Sequence, residues 1–464
     1  MLILFLVRFV FVILIGLIIA SFIYMNKLHF NFSINVHSGV KGEELQNGNA
    51  DKGDKGDKGD KADKGDKGDK GDKGDKATKG SNQPEENWNF CFEALKTVSR
   101  SFNIVIRQLD DESMKVVCIF YLILRGLDTI EDDMSIPIED KKQMLLRFHN
   151  DIENDNYSAE CGDKPEYRHL MQHFYKVIRS YKQLQSKYRD VIKTITHKMA
   201  KGMVVHLDKP SMDTTKEYDS YCHYVAGLVG IGLSQIFTLR GLEYNDLTEH
   251  DHLSNSLGLF LQKTNIIRDV KEDYDEKRFW WPKDIIHTHF SSMDDVFNPD
   301  IAIASKHADL LNEMIINALQ HIPDSIAYLS LVKSDSNFKF CAIPQVVAMQ
   351  TLATLFNNAN VFKKTEKLSK TTLARIFIDV NDMNSVLQFY IDAIEKIEKK
   401  IADNNCSHVK QYADELDKIK GVIIKYAVEH PKLSFANISL SKIKRYVMCA
   451  CVSLFRNIMS PLRS

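Results

Sequence analysis

The chain has 464 residues, enough for one large domain or two or three small ones. Hydrophobic residues make up 44% and aromatic residues 10%, ample material for a sizeable core. A formal net charge of -1 leaves no basic excess to neutralise phosphates, which argues against a general nucleic-acid binder.

Residues 1–25 are apolar apart from Arg8, and the uninterrupted run over 9–25 is just long enough to cross a bilayer. A cleaved signal peptide normally has a shorter apolar region ending at a small-residue cleavage site, and none is evident here. Residues 1–25 are therefore read as a transmembrane anchor. Its orientation is not legible, because Arg8 lies on one side and Lys27 and Lys41 on the other. Residues 26–83 form a linker. Within it, residues 51–77 are nine Asp-Lys-(Gly/Ala) triplets. Glycine at every third place resembles collagen, but the repeat has no proline, and Ala62 and Ala77 take two of the axial positions. A charge-balanced, glycine-rich flexible spacer is the expected reading.

The body spans 84–431. Apolar residues recur at helical spacing, as in "VCIFYLILRGL" and "YVAGLVGIGLSQIF", and no alternating strand pattern with hairpin turns appears. The expected fold class is all-α, one large helical domain around a central cavity. The eight cysteines contain no Cys-x-x-Cys pair, and several lie in apolar runs, which suits buried reduced thiols. Residues 432–464 form a tail whose apolar run, 446–455, is too short to span a bilayer. With Lys442, Lys444, Arg445 and Arg456 around it, the tail either lies on an anionic membrane face or is an ordinary terminal segment.

Two acidic clusters carry the chemistry. In "GLDTIEDD", residues 126–133, helical spacing puts Asp128, Glu131 and Asp132 on one face and turns Asp133 away. Asp269, Glu272 and Asp273 repeat the pattern, with Asn265 and Gln262 one and two turns earlier. One such face alone is as readily a solvated charged surface. Two matched faces, each after an apolar helical stretch and each with arginine nearby, point to Mg²⁺ and a diphosphate. Arg125, Arg268 and Arg278 are the candidate diphosphate clamps, with Arg100 in "SRSF".

The stretches "SRSF", "CIFYLILRGLDTIEDDM", "YCHYVAGLVGIGLS", "LGLFLQKTNIIRDVKED", "RFWWP" and "FCAIPQV" resemble, in order, the motif blocks of the squalene synthase family, the farnesyl-diphosphate farnesyltransferases. The resemblance covers about residues 88–400. It implies the isoprenoid synthase fold, with two acidic motifs facing each other across a cavity mouth. It also implies a two-step reaction. Two farnesyl diphosphates condense to presqualene diphosphate, and NADPH then reduces this to squalene.

By resemblance, Asp128, Glu131 and Asp132 are the first metal motif, and Asp269 and Asp273 the second. Tyr221 matches a tyrosine that assists ionisation and proton removal in the first half-reaction. Tyr121 is expected to line the cavity. Phe340 matches an aromatic of the second half-reaction, although plain core packing explains it equally well. Ser99, Arg100, Ser101 and Phe102 match the first substrate site, and Gln262, Asn265, Arg268 and Arg278 accompany the second motif. For NADPH there is no strand-borne Gly-x-Gly-x-x-Gly. Gly227, Gly230 and Gly232 lie inside a helical run, where they suit close helix approach. The family uses cations instead, matched by Arg100, Arg125, Arg268 and Lys367. Ser369 departs from the family by standing where arginine is common. The resemblance further implies a monomer on the endoplasmic reticulum membrane, with the catalytic domain facing the cytosol. The competing readings are a phytoene or dehydrosqualene synthase without the NADPH step and, in another class, an inactive membrane scaffold.

Overall fold

The computed structural model describes residues 83–99, 102–209, 211–243, 246–298, 300, 304–403 and 409–430. The anchor, almost all of the linker, the C-terminal tail, Arg100 and Ser101 lie outside these residues. Among the described residues the secondary structure is helical, and the sole β feature is an isolated parallel bridge between Ser211 and Phe279.

The principal helices, in chain order, are α1 (Gln83–Ser99), α2 (Asp111–Asp132), α3 (Ile138–Asp151), α4 (Phe174–Tyr181), α5 (Ser186–Leu207), α6 (Thr215–Cys222) and α7 (Leu228–Leu239). Then come α8 (Asp251–Arg268), α9 (Val270–Asp275), α10 (Ala304–Leu319), α11 (Ile322–Leu331) and α12 (Asp335–Leu355). The last three are α13 (Lys370–Asp379), α14 (Met383–Asp403) and α15 (Val409–Glu429).

Helix α2 begins where Asp110 caps it, its carboxylate accepting the Ser113 N–H at 3.2 Å. Arg240, just past α7, ties that end down through ion pairs to Asp110 (2.6 Å) and Glu112 (3.0 Å). From Val116 to Leu124 α2 is buried nearly all round, as a helix at the centre of a bundle must be. Helix α8 is the second central element, packing on α7, α10, α11 and α12. Among the described residues two helical stretches, Thr215–Leu239 and Asp335–Leu355, are long and apolar enough to cross a membrane. Here their apolar faces are spent on the helical core. Cys91, Cys118, Cys161, Cys222 and Cys341 are buried and free.

Between α6 and α7 the chain widens into one π turn, His223–Gly227. This turn presses on α8 with no room for side chains. A Cβ at Gly258 would lie 2.4 Å from the Ala226 carbonyl oxygen, and one at Gly230 would lie 2.2 Å from that of Ser254. The glycines of "AGLVGIG" thus serve close helix approach. Both obstacles are backbone atoms, which cannot step aside. Gly258→Ala is therefore expected to cost at least about 1–3 kcal/mol of stability. Thermal unfolding followed by circular dichroism checks this, and an unchanged Tm would refute the close crossing.

Candidate active site

The first acidic motif is the last turn of α2, and three groups fix it. Lys141, buried in α3, donates to the Glu131 carbonyl at 2.6 Å. Asp133, the residue after the helix, accepts from Gly162 N–H (2.7 Å) and from the Ser135 N–H and hydroxyl (2.9 and 2.6 Å). Burial works against its ionisation, but these bonds outweigh burial and leave Asp133 below the usual carboxylate range. Asp133 is thus a structural cap turned from the motif face. Asp128, Glu131 and Asp132 are partly buried on the other face. Arg125 lies one turn before them, 3.5 Å from Asp128, with its guanidinium over the rings of Tyr121 and Tyr167. It also donates to the Tyr121 hydroxyl at 3.4 Å.

The second motif straddles a break. Helix α8 ends at Arg268, Asp269 is the joint, and α9 begins at Val270. The i→i−4 ladder still passes through, from Asp269 N–H to Asn265 and from Asp273 N–H to Asp269, both at 2.9 Å. The second motif thus lies on two short-coupled helices, with the helical spacing kept. Asp273 is buried, whereas Glu272 is exposed. Arg268 grips its neighbour Asp269 with two nitrogens.

After α9 the chain reverses. Lys277 takes a left-handed conformation (φ 59°), and its N–H donates to Tyr274 while that of Arg278 donates to Asp273. This is a Schellman turn made without glycine. It brings the Arg278 guanidinium back between the motifs, 2.9 Å from Asp273 and 2.9 Å from Asp132. One cation therefore joins the two acidic motifs.

Tyr221, near the end of α6, stacks on Trp280 (4.3 Å, 12°) and meets the edge of His206 (5.3 Å, 80°). Trp280 is placed by a strap. Phe279 bridges to Ser211, Lys283 N–H donates to Met212 at 2.9 Å, and Lys283 pairs with Asp213 at 2.7 Å. Burial and the field of Glu131, Asp132 and Asp128 hold the Tyr221 phenol well above its usual range.

The other expected residues fall as follows. Ser99 is buried at the end of α1, its hydroxyl on the Leu95 carbonyl. Phe102 is half-buried, 6.0 Å from Tyr121. Gln262 is half-buried and Asn265 exposed, both on α8. Phe340 packs edge-on against Phe237 at 5.8 Å inside the core. Lys367 is exposed on the segment before α13, and no contact joins it to Arg125 or Arg268. Ser369 caps α13, accepting the Thr372 N–H at 3.0 Å, a task arginine cannot perform. Sequence reasoning missed Lys141, Trp280 and His206. Lys141 had no signal, because it reaches the motif from another helix.

The donor set suits a hard divalent cation. Burial, opposed by Arg125 and reinforced by Asp132, pushes Asp128 up to about 6. Burial, opposed by Arg278 and reinforced by Asp269, pushes Asp273 up to about 7. Burial and the Asp132 and Asp128 carboxylates hold Glu131 well above the usual range. Its carboxylate makes no hydrogen bond or ion pair among the described residues. These are crowded oxygens, of which Asp128, Asp132, Asp269 and Asp273 are paired with arginine and Glu131 is not. Among the described residues no three acidic, histidine or cysteine side chains close a cage.

A pH dependence follows. Both acids bind protons more tightly folded than unfolded, so between about pH 4 and pH 7 they lower stability as pH rises. A bound cation reverses that loss by favouring the ionised form. The rise in Tm on adding MgCl₂ is expected to be small below Asp128's value of about 6 and large above Asp273's value of about 7. Scanning fluorimetry across that range checks it, and an equal rise at both ends would contradict the assignment.

Comparison with known proteins gives the family. The squalene/phytoene synthase family model matches residues 95–372. The chain belongs to this family. Squalene synthase 1 of Arabidopsis thaliana is 39% identical over 358 residues, 76% of this chain and 86% of that one. Squalene synthase of Nicotiana benthamiana is 41% identical over 330 residues, 70% of this chain and 79% of that one. Among solved structures, a ligand complex of TcSQS superposes with a TM-score of 0.71 at 36% identity, covering 73% of this chain and 99% of that one. The isoprenoid synthase fold is thereby shown.

Proposed function

We propose that the chain is a squalene synthase. It joins two farnesyl diphosphates head to head into presqualene diphosphate and reduces this, with NADPH, to squalene. The single observation that carries the reading is Arg278 in ion pairs with both Asp132 and Asp273. Two acidic motifs drawn together around one cation form a mouth suited to a diphosphate.

Asp128, Glu131, Asp132, Asp269 and Asp273 are the side chains that would hold Mg²⁺. When bound, the ion makes the diphosphate a better leaving group. Arg125, Arg268 and Arg278, with Ser99, Arg100 and Ser101, grip diphosphate oxygens. Gln262 and Asn265 flank the second motif. Phe102 and Tyr121 form apolar wall beside the first, keeping water from the carbocation. Tyr221, pinned on Trp280 beside the first motif's field, handles the proton of ring closure. Phe340 offers a π face to the second half-reaction. Arg100, Arg125, Arg268 and Lys367 are the cations for NADPH, whose chemistry is hydride donation. Ser369, occupied as a helix cap, leaves Lys370 beside it for a missing phosphate contact.

Labelled farnesyl diphosphate given to the purified protein with and without NADPH tests the reading. Squalene with NADPH and presqualene diphosphate without it are expected. Dehydrosqualene or phytoene-type products in both cases would move the chain to the NADPH-independent branch. No metal-dependent diphosphate release at all would leave the inactive scaffold.

The same reading assigns residues 1–25 as the membrane anchor, 26–83 as spacer, 84–431 as the catalytic body and 432–464 as a C-terminal tail that does not anchor the chain. The body is a monomer facing the cytosol from the endoplasmic reticulum. A chain truncated to begin at Pro84 is expected to leave the membrane fraction. Its complete retention there would overturn the anchor assignment.

A further inference from the structure

His206 has no place in the roles above, yet its surroundings are unusual. It lies in the last turn of α5 with 7% of its surface exposed. Neither ring nitrogen has a hydrogen-bond partner among the described residues. Leaving a buried donor and acceptor unmatched is costly, and a phenylalanine would fill the same space without that cost. The imidazole meets Tyr221 edge-on at 5.3 Å, and the Tyr224 ring lies 6.3 Å away. Gly202, one turn earlier on α5, makes the packing possible, because a Cβ there would lie 2.0 Å from Tyr224 Cγ. Tyr221 thus contacts both an inert indole face and an imidazole with free nitrogens.

The charged groups near His206 are Lys209, just past its own helix, and Glu217 on α6, which pair with each other at 2.7 Å. Burial pushes the imidazole below its usual range, with Glu217 opposing and Lys209 reinforcing. It is therefore neutral near pH 7, with a lone pair on one ring nitrogen. The Tyr221 phenol, by contrast, keeps its proton tightly. Such a phenol takes up a second proton only by handing its own on.

We propose that His206 is a positioning residue of the condensation half-reaction, receiving the proton that Tyr221 passes on as the cyclopropane ring closes. This rests on the squalene synthase reading. A C–H bond of the carbocation breaks, and its electron pair forms the closing carbon–carbon bond. The proton goes to the phenol oxygen while the phenol proton moves, through one bridging water, to a free imidazole nitrogen. Once the product has formed, the imidazolium returns its proton to water.

The test compares His206→Phe and His206→Gln with the wild-type full chain. Each half-reaction is assayed separately: farnesyl diphosphate to presqualene diphosphate without NADPH, and supplied presqualene diphosphate to squalene with it. His206→Phe is expected to melt at or above the wild-type temperature. Its first-half kcat is expected to fall about 10²-fold, at the low end for a lost proton-transfer group, with KM unchanged. Its second half is expected to stay within about twofold of wild type, since no such proton moves there. His206→Gln, polar but not basic, is expected to match it, which covers a His206→Phe chain that fails to fold. First-half turnover at the wild-type rate in either folded variant overturns the proposal, as does equal loss in both halves. A wild-type chain that forms no presqualene diphosphate overturns the function itself, and the proposal with it.

Discussion

Asp128→Asn and Asp269→Asn are each expected to lower kcat for diphosphate release by about 10²–10³-fold, the scale of losing one preorganised electrostatic contact in an active site. The two residues stand on different motifs, one 3.5 Å from Arg125 and one gripped by Arg268. Each substitution keeps shape and removes charge. The fold should survive, because neither side chain caps a helix or fills the core. Asp133→Asn is the internal control. Asp133 belongs to the same acidic run, but its oxygens are committed to Gly162 and Ser135. Its loss should lower Tm and leave the metal dependence of the remaining activity unchanged. Measured rates of diphosphate release against MgCl₂ concentration separate these cases. Unchanged turnover in both Asp128→Asn and Asp269→Asn would remove the metal site.

Arg278→Ala is expected to reduce kcat by a similar factor, about 10²–10³, and to raise KM for farnesyl diphosphate. It should also change the protein without substrate. Asp132 and Asp273 share this guanidinium, so its removal leaves two carboxylates facing each other uncompensated. Apo stability should fall, and MgCl₂ should restore more of it than in wild type, because the vacated charge favours a cation. Arg278→Lys should rescue little, since a single ammonium cannot present two parallel donors to two acids. Melting curves with and without MgCl₂, set beside steady-state rates, check both halves of this expectation. A variant with wild-type KM and the same metal response would show that Arg278 is only a surface ion pair.

Much of this was readable in the chain. The 3.6-residue period of apolar groups sufficed for an all-helical body, because helix and core write the same pattern. The spacing of acids sorted Asp128, Glu131 and Asp132 from Asp133, as angle along a helix follows directly from position. Contacts that depend on a chain reversal were not readable. The turn at Lys277 lacks the glycine that normally announces one, so the return of Arg278 to Asp273 left no mark. The break at Asp269 was also hidden, because the hydrogen-bond ladder runs on through it. The placement of Trp280 depends on the strap between residues 211–213 and 279–284, pairings of distant segments that no local pattern encodes. Ser369 looked like a lost phosphate contact. Its N-cap role became visible only once the start of α13 was known.

The turn after α9 binds the second motif to its own arginine. Arg278 is held to Asp273 twice, by its backbone N–H and by its guanidinium, so the second motif and its arginine move as one piece. Across the mouth, the described contact from that piece to the first motif is the ion pair with Asp132, about a third exposed on the acid side. That single contact can part without dismantling either motif, since each motif is held within its own segment. It acts as a latch rather than a weld. A diphosphate arriving with its own oxygens competes for the same guanidinium, so the substrate carries the key that releases it.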